Sequence, residues 1–453
     1  MKRLSLLLIL ALSTLALRAE NAAVIAVNPP AAKTENAKRA AEAGSLEVIN
    51  GVRVLKLYSP KYEERGFAHG YLLAPDIREC LEDALKALPF FSGEKFTKNL
   101  IPWYKKSFVW DLHAKQELKG LWDGVKARLT EDAADPEKAL FCEGLGRELN
   151  PEDIEVLSVI GDYFGPACSG FVATGANTKG GEVIHARNLD FPIGPKASMK
   201  QMVIVSFPIS YRWDQYTKDE KGQDLHAWGH NTNHGWVGIG WPGLIAIYSA
   251  MNDKGLTCCL HDATNLVKGG AEKGFTPRGM LLRRIVERVD PNDGDPAEAA
   301  VELVAKQPVA CGNLFQLSWP KAAAEKTKTQ PGAVLEFDSA DRKPQSLDGI
   351  SIRRMDESGE LVLTNHCCVR SKPVQCNRFS AITDGLESLK KDHKEIGVPE
   401  ARKLMIGAEM PLAAHTVVFE PDFLKFTVSF TRGNLLSTRA AGKEFELESL
   451  LKK

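Results

Sequence analysis

The chain has 453 residues, which is long enough to bury a substantial core in one large domain or two modest ones. It contains 58 Lys and Arg residues and 58 Asp and Glu residues, so its formal charge at pH 7 is zero. This balance argues against a nucleic-acid-binding protein, which typically carries a basic surface, and no acidic tail is present. Nothing in the composition indicates a polyanionic partner.

The first residues have the pattern of a secretory signal peptide. Two basic residues precede an apolar run over residues 4–17, and Ala19 provides a small residue for cleavage. The run is shorter than the roughly 20 residues of a membrane-spanning helix. We therefore expect residues 1–19 to direct export to the periplasm or the medium, without a membrane span. Residues 20–45 are rich in Ala, Asn, Glu and Lys, a composition that predicts a flexible linker.

Secondary structure is predicted to begin near residue 46. Alternating apolar residues on both sides of Asn50-Gly51 predict a β-hairpin, and a mainly helical stretch follows over about 62–147. A last helix then begins at Asn150-Pro151, which provides an N-cap and a first-turn proline. Gly165-Pro166 ends this helix shortly before a cysteine.

The stretch around that cysteine is the most informative part of the sequence. Cys168 stands at the head of a predicted strand, and residues 181–191 contain a second strand after a stretch dense in turn formers. Hairpin pairing places Cys168 opposite a residue near Asn188, within one or two positions. The thiol, the guanidinium of Arg187 and the carboxylate of Asp190 are thus predicted to meet at one end of a two-stranded ribbon.

The rest of the chain alternates runs of strands with groups of helices. Strands are predicted at about residues 202–207, 234–240, 244–248, 256–261, 313–318, 333–337, 349–354, 361–365, 415–419 and 425–430. Helices are predicted at about residues 277–289, 296–306 and 378–392. Such an order predicts an α+β protein with layered, largely antiparallel sheets.

Five motifs in this order resemble a known family. They are a cysteine at a strand head, HARNLDF, GWPGLIAIYSAMNDKGL, LTNH and NRF. Together they resemble the penicillin acyltransferase-like branch of the N-terminal nucleophile hydrolases, to which bile-salt hydrolases and acid ceramidase are more distantly similar. The resemblance covers most of residues 46–430 and implies a four-layer αββα sandwich.

Members of this family are made as precursors that cut themselves before the nucleophile. The resemblance places the cut between Ala167 and Cys168, which divides the chain into a leader over residues 46–167 and a catalytic domain over residues 168–453. The cut makes Cys168 a new N-terminus. The leader is expected to remain associated as a smaller chain.

The resemblance also implies roles for other residues. Arg187 and Asp190 match the arginine and the aspartate of the family's R-N-x-D run. Asn365 matches the asparagine that stabilises the oxyanion, and Arg378 matches a late arginine near the site. His261 stands where bile-salt hydrolases have a second oxyanion asparagine. Further candidates for substrate or oxyanion contacts are Asn188 and Trp241.

A terminal cysteine provides two groups that acyl transfer needs. Its α-amine, with a pKa of about 7.7, can act as general base, and its thiol, with a pKa of about 8.5, is the nucleophile. Arg187 would favour the thiolate, and Asp190 would hold the amine by a charge-assisted hydrogen bond. Asn365 would donate to the oxyanion, a contact worth roughly 3–4 kcal/mol. We therefore expect hydrolysis of a linear amide through a thioester, or acyl transfer to an amine, on a small-molecule substrate without cofactor or metal.

Two alternatives remain open. One is an exported binding protein that keeps the fold without activity. The other is a thiol hydrolase that pairs Cys168 with His261 or His366 and does not cut itself. Trp241 and its aromatic neighbours are consistent with an acyl pocket and also with core packing, and the substrate stays open.

Histidines and further cysteines offer weaker signals. His226, His230 and His234 have helical spacing for zinc, but the intervening Gly and Asn residues interrupt a helix and disfavour that site. The adjacent pairs Cys258-Cys259 and Cys367-Cys368 lie in strand-like runs, so one cysteine of each pair is expected on each face. A disulfide between these strands remains open.

Overall fold

The structure is a computed structural model, and it describes residues 34–87, 92–163, 165, 167–191, 194–210, 232–263, 274–305, 307–338, 349–370 and 374–452. The predicted signal peptide over residues 1–19 lies outside the described residues, as do His226 and His230.

Strands and helices are named in chain order within these ranges. The strands are β1 (Gly44–Ile49), β2 (Val52–Leu57), β3 (Phe141–Cys142), β4 (Arg147–Glu148), β5 (Ala167–Ala173), β6 (Ile184–Asp190), β7 (Met202–Ser206), β8 (Ile209–Ser210), β9 (Thr232–Asn233), β10 (Trp236–Gly240), β11 (Ser249–Asn252), β12 (Thr257–Asp262), β13 (Asn313–Ser318), β14 (Gly332–Phe337), β15 (Ile350–Arg354), β16 (Glu360–Leu363), β17 (Ala413–Glu420), β18 (Lys425–Phe430) and β19 (Lys443–Glu446). The helices are α1 (Glu35–Ala43), α2 (Tyr62–Ala87), α3 (Gly93–Lys95), α4 (Ile101–Ser107), α5 (Leu112–Asp132), α6 (Pro151–Glu155), α7 (Ile160–Tyr163), α8 (Pro195–Met199), α9 (Arg278–Arg288), α10 (Pro296–Ala305), α11 (Lys321–Thr327), α12 (Asn377–Lys391), α13 (Val398–Gly407) and α14 (Leu447–Leu450).

Two large sheets dominate the described part of the chain. One has nine strands in the order β1-β2-β7-β10-β11-β12-β13-β14-β15, and the other has six in the order β16-β5-β6-β17-β18-β19. Neighbouring strands in both sheets are antiparallel except for β2 and β7, which are parallel. The leader therefore contributes the edge hairpin β1–β2 to the larger sheet.

The sheets are stacked face to face with helices on both outer sides. Val237 and Met251 of the larger sheet pack with Val417 and Phe426 of the smaller one in a single apolar cluster. Helices α2, α5, α9 and α10 cover the outer face of the larger sheet, and α12 and α13 cover that of the smaller. The predicted α+β fold with four αββα layers is confirmed.

The linker predicted over residues 20–45 is wrong for its last part, where the chain forms α1. The Thr34 hydroxyl caps this helix by accepting from the Ala37 N–H at 3.0 Å. Ala37 and Ala40 are buried against Phe67 of α2. An Ala-, Glu- and Lys-rich segment suits a helix as well as a linker, and here packing on the leader decides between them.

Two predicted leader signals are confirmed. Asn50 and Gly51 both have positive φ, 54° and 76°, as a two-residue hairpin turn requires. Asn150 forms a capping box with Asp153 at the start of α6.

The strand predicted over residues 244–248 is wrong, because pairing begins only at β11. The Ile245 N–H donates instead to the Ser158 hydroxyl at 3.1 Å, and the Ile247 N–H donates to the Gly279 carbonyl at 3.4 Å. These bonds to the leader and to α9 replace the sheet ladder. The chain also continues beyond the last predicted strand, since β19 pairs with β18.

All nine cysteines lie within the described residues and none of them is in a disulfide, so the disulfide left open above does not form. Cys258 packs under the helices and Cys259 packs between the sheets, as the alternation of a strand predicts. Among the described residues, no helix combines the length and hydrophobicity needed to cross a bilayer.

Candidate active site

The site lies at the head of the β5–β6 hairpin in the smaller sheet. Cys168 is paired with Leu189, one residue from the predicted partner, and Ala167 is paired with Asp190. The predicted register is therefore confirmed within its stated margin. Arg187 is paired with Gly170, which lies two residues from Cys168 on the same strand. The side chains of Cys168 and Arg187 therefore point to the same face, towards the larger sheet.

The thiol of Cys168 is fully buried and lies beside a fully buried guanidinium. Nη2 of Arg187 donates to Sγ of Cys168 at 3.0 Å and to the Leu260 carbonyl at 2.8 Å, while Nη1 donates to the Tyr248 carbonyl at 3.1 Å. Burial raises the pKa of the Cys168 thiol, and Arg187 acts in the opposite direction. The arginine is thus placed to stabilise a thiolate in a site that otherwise disfavours charge.

A chain of polar side chains behind Arg187 holds it in place. Nη1 of Arg187 donates to the Ser249 hydroxyl, which lies 2.9 Å from Nε2 of His415. Nδ1 of His415 lies 2.8 Å from Oε1 of Gln201, whose amide NH₂ donates to two backbone carbonyls. The imidazole therefore donates from Nδ1 and accepts at Nε2. Burial and Arg187 lower the pKa of His415 well below its usual value, so the ring is neutral.

The peptide groups of Cys168 are held from the opposite side. The Cys168 N–H donates to Oδ1 of Asn365 at 2.8 Å, and Nη1 of Arg378 donates to the Cys168 carbonyl at 2.6 Å. Nη2 of Arg378 also donates to Oδ1 of Asn365 at 2.9 Å, while Nδ2 of Asn365 donates to the Asp262 carbonyl at 2.9 Å. Asn365 therefore presents its oxygen, and not its NH₂, to the predicted cut.

Asp190 completes this side of the site at the level of Ala167. Its side chain is buried, and Oδ2 lies 3.4 Å from Nη1 of Arg378. Burial raises the pKa of Asp190 to about 7, although Arg378 and Arg187 act to lower it. Within the described residues Oδ1 has no hydrogen-bond partner. Asp190 is paired with Ala167, the residue that precedes the predicted new N-terminus.

Asn188, a predicted contact residue, does not face the site. Its Nδ2 donates to the Met405 carbonyl at 2.8 Å and its Oδ1 accepts from the Thr416 hydroxyl at 2.9 Å, on the side covered by α13. Trp241 is fully buried and packs on Phe191 with ring centroids 5.9 Å apart, and its ring centroid lies 6.3 Å from that of His415, so its role as a pocket residue stays a prediction.

His261, the predicted second oxyanion donor, is fully buried behind the hairpin. A methyl group on Gly170 would lie 3.4 Å from its ring, two residues along β5 from Cys168. Burial and Arg187 lower the pKa of His261 well below its usual value. The next residue, Asp262, accepts from Nδ2 of Asn365 through its backbone carbonyl at 2.9 Å.

Sequence reasoning missed Asp262, Ser249, Gln201 and His415. The signal for His415 is a single histidine inside the apolar strand β17. Of the histidines considered for zinc, His234 is described and its Nδ1 lies 3.0 Å from an Asp253 oxygen. Across the described ranges, no three His, Cys, Asp or Glu side chains form a group suited to a metal ion.

Comparison with known proteins gives matches among solved structures. No family model and no curated protein matches the chain. It is similar to the Caenorhabditis elegans ortholog of N-acylethanolamine-hydrolyzing acid amidase, with 11% identity and a TM-score of 0.37 over 62% of this chain and 99% of that one. It is similar to a conjugated bile acid hydrolase from Clostridium perfringens, with 12% identity and a TM-score of 0.38 over 63% and 94%. It is also similar to penicillin V acylase from Agrobacterium tumefaciens, with 14% identity and a TM-score of 0.38 over 62% and 91%. These neighbours are N-terminal nucleophile hydrolases, the group that the motifs resemble.

Proposed function

We propose that the chain is a self-activating cysteine amidohydrolase. It cuts its own Ala167–Cys168 peptide bond and then hydrolyses a linear amide of a small molecule through a thioester on Cys168. The observation that carries the proposal is the convergence of three side chains on one residue. Arg187 donates to the sulfur, Asn365 accepts from the amide N–H and Arg378 donates to the carbonyl oxygen.

Self-cleavage begins with attack of Sγ of Cys168 on the carbonyl carbon of Ala167. The bond from this carbon to the Cys168 nitrogen breaks, and the thiol proton passes to that nitrogen, which becomes an α-amine. Water then hydrolyses the thioester, releasing the Ala167 carboxylate and restoring the thiol. Arg187 stabilises the developing thiolate, and Asn365 orients the leaving nitrogen through the N–H bond it already accepts.

Turnover uses the new N-terminus. The α-amine, with a pKa of about 7.7, takes the thiol proton and delivers it to the leaving amine of the substrate after the sulfur attacks the amide carbonyl. Water hydrolyses the thioester and regenerates the thiol. In this proposal the buried carboxyl of Asp190 holds the amine, which is supported by its position opposite Ala167 and by its Oδ1, which lacks a hydrogen-bond partner among the described residues. Donation by Asn365 to the oxyanion requires its Nδ2 to exchange the Asp262 carbonyl for the substrate oxygen.

We also propose that the leader remains bound after the cut. Strand β2 pairs with β7, which places leader backbone inside the sheet of the larger fragment. Nη2 of Arg283 and Oε2 of Glu117 form a buried ion pair of 2.7 Å between α9 and α5. Export through residues 1–19 remains part of this proposal.

Intact-mass measurement with N-terminal sequencing tests the proposal on the full chain. We expect a fragment that begins Cys-Ser-Gly-Phe, present in the wild type and absent in Cys168→Ala. Cys80→Ala, which alters another buried cysteine in α2, is the matched control and should be cut normally. A single uncut chain in wild type and control after incubation from pH 5 to 8 would overturn self-cleavage.

A further inference from the structure

The residues just upstream of the proposed cut are held by Arg278. This arginine is fully buried at the first position of α9. Its backbone N–H donates to Oδ1 of Asp162 at 3.2 Å, and its Nη2 donates to the Gly161 carbonyl. Because α7 ends at Tyr163, these contacts fix the chain where it leaves the helix and approaches the cut.

The same guanidinium holds Asp262 at the end of β12. Nη1 of Arg278 donates to Oδ1 of Asp262 at 2.6 Å. The Asp262 carboxyl lies against Gly165, since a methyl group added there would lie 2.1 Å from its Oδ2 and 2.2 Å from its Cγ. The Asp262 backbone carbonyl accepts from Asn365, which holds the N–H of the proposed scissile bond.

Asp262 and Arg278 therefore act on the leader side of the bond, whereas Arg187 and Arg378 act on Cys168 itself. We propose that the Asp262–Arg278 pair is a processing clamp, which holds Gly161, Asp162 and Gly165 so that the Ala167 carbonyl lies within reach of the Cys168 thiol. The inference rests on the proposed self-cleavage and assigns it two positioning residues. The clamp holds an end of the leader that self-cleavage releases.

Positioning has large consequences for rate, because a displacement of about 1 Å can slow a reaction roughly 100-fold. A buried arginine and a buried aspartate also need each other, since either alone is an uncompensated charge. Displacing one partner is thus expected to loosen the segment that both contact.

Gly165→Ala displaces the Asp262 carboxyl without replacing either residue of the pair. Gly165 is exposed, and the three atoms nearest to the added methyl group are all in the Asp262 carboxyl group. We expect self-cleavage to slow at least tenfold, followed as the appearance of the fragment 168–453 after cell-free synthesis of the full chain. Gly407→Ala is the matched control, because its methyl group meets only an ordinary contact 3.9 Å away, and it should be cut at the wild-type rate.

A second pair of variants separates the clamp from simple crowding. Asp262→Ser in the Gly165→Ala background relieves the overlap but lacks the carboxylate, so the clamp predicts that cleavage stays slow. Recovery to within twofold of the wild-type rate would overturn the clamp. Arg278→Lys should be cut faster than Arg278→Met because it keeps the charge; equal rates would also count against the pair.

The outcomes distinguish this inference from the proposed function. If the wild type is never cut, self-cleavage fails and the clamp fails with it. If the wild type is cut, and if Gly165→Ala and Asp262→Asn are each cut at the wild-type rate, only the clamp is overturned.

Discussion

The positive charges of buried arginines in this protein are compensated in two different ways. Arg283 and Arg284 of α9 are paired with carboxylates. Arg283 contacts Glu117 at 2.7 Å and Glu287 at 2.8 Å, and Arg284 contacts Glu287 at 3.1 Å and also Asp111. Glu117 and Asp111 belong to the leader, so this network joins the leader to the rest of the chain.

Arg187 is equally buried, but the hydrogen-bond partners that the described residues give it are uncharged. They are two carbonyls, the Ser249 hydroxyl, the neutral His415 ring and the Cys168 thiol. A buried cation without a carboxylate partner is costly, so such an arrangement is informative where it persists. The comparison separates Arg283 and Arg284, which contact carboxylates, from Arg187, which donates to a sulfur.

Arg187→Met is the substitution with the largest expected effect on self-cleavage. We expect self-cleavage to fall about 100-fold or more, which corresponds to about 2.7 kcal/mol, because the thiolate loses its only bonded cation among the described residues. The melting temperature should stay constant or rise, since Met removes a buried charge with neutral partners. Fragment formation by intact mass and thermal unfolding provide the two readouts. Cleavage within threefold of the wild type would contradict the role of Arg187.

Arg283→Met makes the corresponding change in the paired group and should behave in the opposite way. It leaves Glu117 and Glu287 buried without their cation, so the free energy of unfolding should fall by about 3–5 kcal/mol. At a temperature where the variant is folded, cleavage should remain within threefold of the wild type. Denaturant titration measures the first effect. A stability equal to that of the wild type would remove the distinction between the two groups.

Asp190→Asn sharpens the comparison through pH, because Asp190 is a carboxyl close to both Arg187 and Arg378. Its pKa is about 7 in the folded chain, against an ordinary value of 3.8. The folded state therefore holds this proton more tightly, so the stability it contributes is full below about pH 4 and is lost as the pH rises to about 7. Relative to the wild type, the variant should gain up to about 1.4 kcal/mol per pH unit across this window. Parallel curves from denaturant titrations between pH 5 and pH 8 would count against the raised pKa.

Local signals in the chain were sufficient for much of the fold. The turn formers between residues 173 and 184 predicted a partner for Cys168 near Asn188, and the observed partner, Leu189, is one residue away. Asn50-Gly51 and Asn150 marked a hairpin and a helix start that the structure contains. These features depend on backbone conformation within a few residues, so sequence alone is informative about them. The arginine beside the thiol follows from the same hairpin register.

The choice of face was decided only by the tertiary structure. Strands β6 and β12 are buried along their whole length, so no alternation of polar and apolar residues marks which side meets the site. A shift of one position then exchanges the faces, which is why Asn188 lies under α13, whereas His261 does face the hairpin, close to Gly170. The contact of Arg378 with Cys168 and that of His415 with Arg187 join residues more than 200 positions apart, and only the packing of the layers brings such residues together.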